Sequence, residues 1–167
     1  MSEELNQRAK DLDRAHVFHS WSAQAGLDLL PIAGGSGATV WDHAGNRWLD
    51  FSSQMVNVNI GHQHPAVIRA IHEQADVLAT IGPATANLTR AEAAQRIVSH
   101  APEGMNKVFF TNGGADAVEN AVRMARLHTG RDTVLSTYRS YHGNTGAAVV
   151  ATGDWRRIPT QYARGHV

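Results

Sequence analysis

The chain has 167 residues, enough for a domain with its own core, with 43% apolar and 18% charged residues and 15 basic side chains against 15 acidic ones. Zero formal charge with scattered arginines gives no footing for broad electrostatic binding to nucleic acid or anionic membrane. There is no cysteine, which excludes disulfides and thiolate metal sites, and no apolar run long enough to span a bilayer. The polar, acidic start, Met1 to Lys10, does not read as a signal peptide, so a cytoplasmic location is expected.

In chain order, residues 2–16 predict a polar amphipathic helix with Leu5, Ala9 and Leu12 on one face. A linker with Phe18, His19, Ser20 and Trp21 follows, and Gly34-Gly35-Ser36-Gly37 reads as a flexible turn. Ala38 to Trp41 and Arg47 to Asp50 flank Asp42-His43-Ala44-Gly45-Asn46, a hairpin signal. Pro65 is placed to open a helix continued by Val67, Ala70, Ile71, Ala75 and Leu78. After a loop from Thr80, Thr89 and Glu92 form a capping-box pattern for a helix running to about Ser99.

Lys107 to Thr111 then predicts a short strand, Asn112-Gly113-Gly114 a tight turn, and Ala115 to His128 a helix ended by Gly130. Its inner face is expected to carry Val118, Ala121, Val122 and Ala125. Thr133 to Ser136 is a second strand, so the expected unit is βαβ with parallel strands and a right-handed crossover. A small-residue helix from Thr145 to Ala151 follows, and Gly153 to Val167 shows no clear element.

The turn into the helix is the main chemical feature. The first amides of a helix lack partners and sit at the positive end of its dipole. With Gly113, Gly114 and Ala115 there, a phosphate can approach the backbone without side-chain clash. The other reading is a tight turn that binds nothing. Asp116 and Glu119, in the first turns, cap the dipole and must face away from any phosphate. There is no Gly-Lys-Ser/Thr and no G-x-G-x-x-G after a strand, so this is neither a nucleotide-hydrolase loop nor a dinucleotide fingerprint.

Tyr141-His142-Gly143 follows the second strand and so shares the ligand-binding edge of an open α/β sheet with the glycine turn. Tyr141 either stacks on a flat heterocycle or belongs to a plain surface turn. Ten histidines raise the question of a metal, but His62-Gln63-His64 has no acidic partner or H-E-x-x-H spacing, and no metal site is expected. No Ser/His/Asp constellation is readable.

Several of these runs together resemble one family. Phe109-Phe110-Thr111-Asn112-Gly113-Gly114-Ala115-Asp116-Ala117 with Glu119 and Arg123-Met124-Ala125-Arg126, and Tyr138-Arg139-Ser140-Tyr141-His142-Gly143, are similar to class III aminotransferases. So are Val40-Trp41-Asp42 with Gly45-Asn46 and Leu49-Asp50, and Gly61-His62 with His64-Pro65. These are fold-type-I enzymes that use pyridoxal 5'-phosphate, and the likeness covers nearly the whole chain from about Phe18. It implies an α/β fold in which residues 1–60 supply the helix, linker and hairpin of the small domain. Residues 61–167 would begin the cofactor-binding large domain and leave it incomplete.

The resemblance also implies roles. Gly114 and Ala115 give amides to the cofactor phosphate, Gly113 shapes the turn, Tyr141 covers the pyridine ring and His142 lies beside it. Trp21 and Met55 match positions lining the substrate pocket of amine and ω-amino-acid transaminases. The Thr80–Asn87 loop resembles one that reaches the partner subunit's site in a homodimer. The implied activity moves an amino group from an amine or ω-amino acid to a keto acid such as pyruvate. Val118 departs from the family's usual Asn. Members are more than twice this length and carry, further on, the lysine that links to the cofactor. The chain's two lysines, Lys10 and Lys107, match neither that position nor its setting. This truncated chain is therefore expected to be inactive alone. The other readings are a non-catalytic module that binds a phosphorylated ligand and a regulatory partner of a full-length homologue.

Overall fold

The computed structural model describes residues 1–163, which fall into two compact units, one spanning Met1–Thr85 and one beginning at Ala86. In the first, α1 (Ser2–His16) carries acidic Glu3 and Glu4 in its first turn and Arg14 and His16 in its last, as the helix dipole favours. The expected apolar face is weakly covered: Leu5 and Leu12 are exposed, and the buried residue of α1 is the polar Asn6. Asn6 is buried because it has partners. Its Nδ2 donates to Asp42 Oδ2 at 3.0 Å, and its Oδ1 accepts from the His43 amide at 3.0 Å. Asp42 also accepts from the Ala44 and Asn46 amides and the Asn46 side chain, each at 2.9 Å. One buried carboxylate thus closes the hairpin turn and fastens it to α1.

The hairpin strands are β2 (Thr39–Asp42) and β3 (Arg47–Leu49), antiparallel as predicted. The reading of Gly34 to Gly37 as a plain turn is corrected. Gly34, Gly35 and Ser36 belong to β1 (Ile32–Ser36), which pairs with β2 to give the sheet order β1-β2-β3. The glycines serve packing here. A Cβ on Gly34 would lie 2.8 Å from the Trp41 indole, whose ring carries the Arg47 guanidinium 5.0 Å from its centroid. Only Gly37, at φ +57°, makes the turn. Its backbone bridges to His62, and the His62 ring meets Asp50 at 2.7 Å with both side chains 13% exposed. So His62 does have an acidic partner. The pair ties the start of the next segment to the sheet, and no group of three or more metal-ligating side chains occurs among the described residues.

A short irregular helix, α2 (Ser53–Val56), contains non-helical backbone at Gln54 and Met55. The helix α3 (Pro65–Val77) starts at Pro65 as predicted, its N-cap being His64. In the second unit, α4 (Leu88–Val98) is capped not by Thr89 but by Asn87, whose side chain accepts from the Arg90 amide at 2.9 Å. A two-residue shift puts the better-placed Asx acceptor at the cap and leaves the Thr89/Glu92 pattern inside the helix.

Next comes α5 (Gly114–Thr129), ended by Gly130 in the left-handed conformation (φ 67°, ψ 15°), as predicted. Its half-buried positions are Ala115, Val118, Glu119, Asn120, Val122 and Arg126, whereas Ala121 and Ala125 face solvent. The predicted inner face was therefore rotated by part of a turn. The strands expected at 107–111 and 133–136 form no parallel pair among the described residues; both segments run without a ladder. Phe109 and Leu135 are 63% and 93% exposed, so side chains that a two-sided sheet would bury have no strand beside them. The helix α6 (Gly146–Val150) holds the buried centre of this unit, Ala148 and Val149, continued by Ala151 and Thr152. A 3₁₀ segment, Trp155–Ala163, follows where no element was predicted; residues 164–167 of that stretch lie outside the described ones.

Candidate functional site

The start of α5 is built as the glycines allow. Its N-cap, Gly113, provides no side-chain cap, and the Thr111 hydroxyl instead donates to the Gly113 carbonyl at 3.0 Å. A Cβ added at Gly113 or Gly114 would meet nothing within 4 Å, so no neighbouring atom crowds either glycine. Helix N-termini in this state attract anions.

The Tyr141–Asn144 loop lies against this start. Gly143 is buried at φ +128°, and a Cβ there would stand 2.5 Å from Ala115 Cβ and 2.7 Å from Ala115 Cα. Absence of a side chain is what lets the loop touch α5. The contact makes a cleft of about 370 Å³ between Gly114, Ala115 and Val118 on one side and Tyr141, His142, Gly143 and Asn144 on the other. The two motifs singled out by sequence therefore share one cavity, although their flanking segments do not pair as strands.

Three supports hold the loop. Upstream, the Ser136 hydroxyl donates to the Ala151 carbonyl, the Thr152 hydroxyl donates to the Ser140 carbonyl, and the Gly153 amide donates to the Tyr138 carbonyl at 3.0 Å. Downstream, Glu119 Oε1 accepts from the amides of Ala147 and Ala148 at 2.7 and 3.1 Å. Burial pushes the Glu119 carboxyl up, but the Thr145 hydroxyl, those two amides and Arg126 outweigh it, and the net shift is downward. Beside the ring, the Arg156 guanidinium lies 4.8 Å from the Tyr141 centroid, and Arg156 is itself paired with Asp154 at 3.4 Å. Tyr141 is 48% exposed, which leaves ring area toward the cleft.

Sequence reasoning missed Arg156, in a stretch that showed no pattern, and gave Glu119 only a capping role on its own helix. The Asp154-x-Arg156 spacing that orients the guanidinium was the available signal. Val118, expected on the inner face of the helix and noted as a departure from the resembled pattern, lines the cleft. Trp21 and Met55 lie in the first unit, Trp21 after α1 and Met55 in α2. Met55 is 86% exposed. Trp21 has φ 59°, and Met55 sits between Gln54 (φ 55°) and Val56 (φ 61°), left-handed conformations that cost side-chain-bearing residues about 1–3 kcal/mol each. Lys10 pairs with Asp28 at 2.9 Å in the first unit. Lys107 begins the extended segment, roughly 13 Å before Thr111 at about 3.3 Å per residue.

Comparison with known proteins adds a second line. The family model described as Aminotransferase class-III matches residues 22–163. An acetylornithine aminotransferase of Methanopyrus kandleri is 39% identical over 75% of this chain and 32% of its own length. Among solved structures, a taurine:2-oxoglutarate aminotransferase from Bifidobacterium kashiwanohense, in complex with PLP and glutamate, superposes with a TM-score of 0.91. It is 42% identical and is covered over 37% of its chain by all of this one. An S-selective transaminase from an Arthrobacter species with alanine bound gives a TM-score of 0.81 at 32% identity, over 87% of this chain and 32% of that one. The chain thus spans about a third of the length of the relatives it matches.

Proposed function

Since the chain belongs to the class-III aminotransferases, we propose that its cleft holds pyridoxal 5'-phosphate and that the protein it represents transfers amino groups. Donors are amines or ω-amino acids, and the acceptor is a keto acid such as pyruvate. One observation carries this reading: the close packing of Gly143 on Ala115 sets an uncapped, open helix start and a half-exposed tyrosine ring around the same cavity. A phosphorylated aromatic ring needs both features, an anion cradle and a flat apolar face.

In this reading Gly114 and Ala115 donate their amides to the phosphate, Gly113 keeps that approach clear, and Tyr141 covers one face of the pyridine with His142 beside it. When bound, the cofactor supplies an aldehyde that accepts the donor's nitrogen and a ring that draws electrons from the carbon to be deprotonated. The chain's own residues bind and orient; none of those around the cleft is a lysine. The substrate-side roles of Trp21 and Met55 are supported by the strained backbone at and around them, a feature that collects at binding sites. We propose that the working form is a homodimer of the cytoplasm, to which the Thr80–Asn87 loop contributes contacts across the subunit boundary.

Alone, the 167-residue chain binds the cofactor and does not turn over, because neither of its two lysines lines the cleft, Lys10 lying in α1 and Lys107 five residues before the Asn112 turn. The same observation favours binding without chemistry as the second reading. The test is a pyridoxal phosphate titration followed by incubation with an amine donor and pyruvate. Saturable binding without alanine is expected. Sustained alanine formation refutes the inactivity, and no binding refutes the cofactor assignment.

A further inference from the structure

The loop that carries Tyr141 is held from an unexpected side. A short helix normally has its N2 or N3 amide satisfied by its own N-cap side chain. The N-cap of α6 is Thr145, and its side chain makes no cap hydrogen bond. The amides of Ala147 and Ala148, the second and third residues of α6, are instead taken by Glu119 Oε1 at 2.7 and 3.1 Å. Glu119 stands on α5, five residues after Gly114. The helix whose first amides face the cleft therefore caps the helix that follows the Tyr141–Asn144 loop.

The geometry has two consequences. The loop is pinned at both ends of a short span, by Gly143 against Ala115 and by Ala147 and Ala148 on Glu119, so it cannot slide along α5. And Glu119 directs its charge at α6 amides rather than at the open start of α5, where a carboxylate would repel a bound anion. We propose that Glu119 is a positioning residue that joins α6 to α5 and thereby sets the spacing between the Gly114–Ala115 amides and the Tyr141 ring. This rests on the reading that the cleft takes pyridoxal phosphate. Glu119 touches no ligand; it acts through the loop.

The test separates reach from charge. Glu119→Asp keeps the carboxylate but shortens the side chain by about 1.5 Å, and Glu119→Gln keeps the reach but removes the charge. Each is made in the full chain, with Glu119→Ala for comparison. Two quantities are read: hydrogen exchange at the Ala147 and Ala148 amides without cofactor, and pyridoxal phosphate affinity with the induced circular dichroism of the bound ring. For Glu119→Asp, exchange is expected to rise and affinity to fall, each by roughly tenfold, the size of a lost charge-assisted hydrogen bond, with a changed dichroic band. Glu119→Gln should stay within about threefold of the parent. Should Glu119→Ala fail to fold, the other two variants decide. Parent-like affinity and dichroism in both overturn the proposal. If the parent itself binds no cofactor, the cofactor reading has failed, and the exchange arm still shows whether Glu119 fixes the loop. Unchanged exchange in Glu119→Asp overturns that too.

Discussion

Replacing Gly143 by alanine tests the contact on which the cleft depends. Two costs arise. At φ +128° a residue with a Cβ is strained by about 1–3 kcal/mol. The new methyl would also stand 2.5 Å from Ala115 Cβ and 2.7 Å from Ala115 Cα, where carbon atoms settle at about 3.5–4.0 Å. Ala148 Cβ waits at 3.3 Å, so the methyl has no free direction. The obstruction on the Ala115 side includes backbone, so relief means moving the loop off α5 by about 1 Å, and overpacking of this kind costs about 1–3 kcal/mol. Together these give about 2–6 kcal/mol, comparable with the whole stability of many domains. At about 2–4 °C per kcal/mol for a chain of this size, the melting temperature should fall by roughly 5–20 °C. Pyridoxal phosphate binding should weaken with it. The control is Gly26→Ala, where an added Cβ meets nothing within 4 Å and φ lies outside the left-handed region, with an expected effect within about 0.5 kcal/mol. If the Gly143 variant melts and binds like the Gly26 control, the packing of loop on helix is not what builds the cleft.

Other outcomes follow from the same structure. Asn6→Ala takes the acceptor from the His43 amide and removes one of the four hydrogen bonds to the buried Asp42 carboxylate, and should destabilise by about 1–3 kcal/mol in a denaturant melt; a neutral result would mean that α1 is not fastened there. Arg156→Ala removes the cation over Tyr141 and should weaken pyridoxal phosphate binding about two- to fivefold, the value of a partly exposed cation–π contact. Unaltered affinity would show that the ring needs no such support. Acid should also destabilise. Asp50 is held below the usual carboxylate range by its hydrogen bond with His62, and the Gln54 amide adds to this. At Asp42 burial acts upward but the bonds from Asn46, Ala44 and Asn6 prevail, and Glu119 is likewise lowered. Each such group binds fewer protons folded than unfolded, so its stabilisation is present above the unfolded value near 4 and is lost as pH falls through the lower folded value. The melting temperature should therefore drop below about pH 4; a rise between pH 5 and pH 3 would contradict the assigned partners.

Local signals in the sequence determined the helices α1, α3, α4, α5 and α6, the hairpin, the Gly130 stop, the Pro65 start and the chemistry of the Gly113-Gly114-Ala115 turn. Each of these depends on residues within one or two turns of one another, and the motif order that points to the family is likewise read along the chain without any knowledge of tertiary contacts. Tertiary structure alone decided what depends on distant partners. Gly34 and Gly35 looked like a turn because glycine frees the backbone, and only their pairing with β2, with the Trp41 ring against Gly34 and His62 against Gly35, shows that they are strand residues. Asn6 is buried through Asp42 and His43, partners 36 and 37 residues away that no helical pattern announces. His62 gained its carboxylate from Asp50, twelve residues earlier. The extended segments at 107–111 and 133–136 have the composition of strands, but a strand exists only where a neighbour offers a ladder, and no local pattern supplies one. The meeting of Gly143 with Ala115 and the reach of Glu119 to α6 span 28 residues each, beyond any periodicity, and it is these contacts that turn two sequence motifs into one cavity.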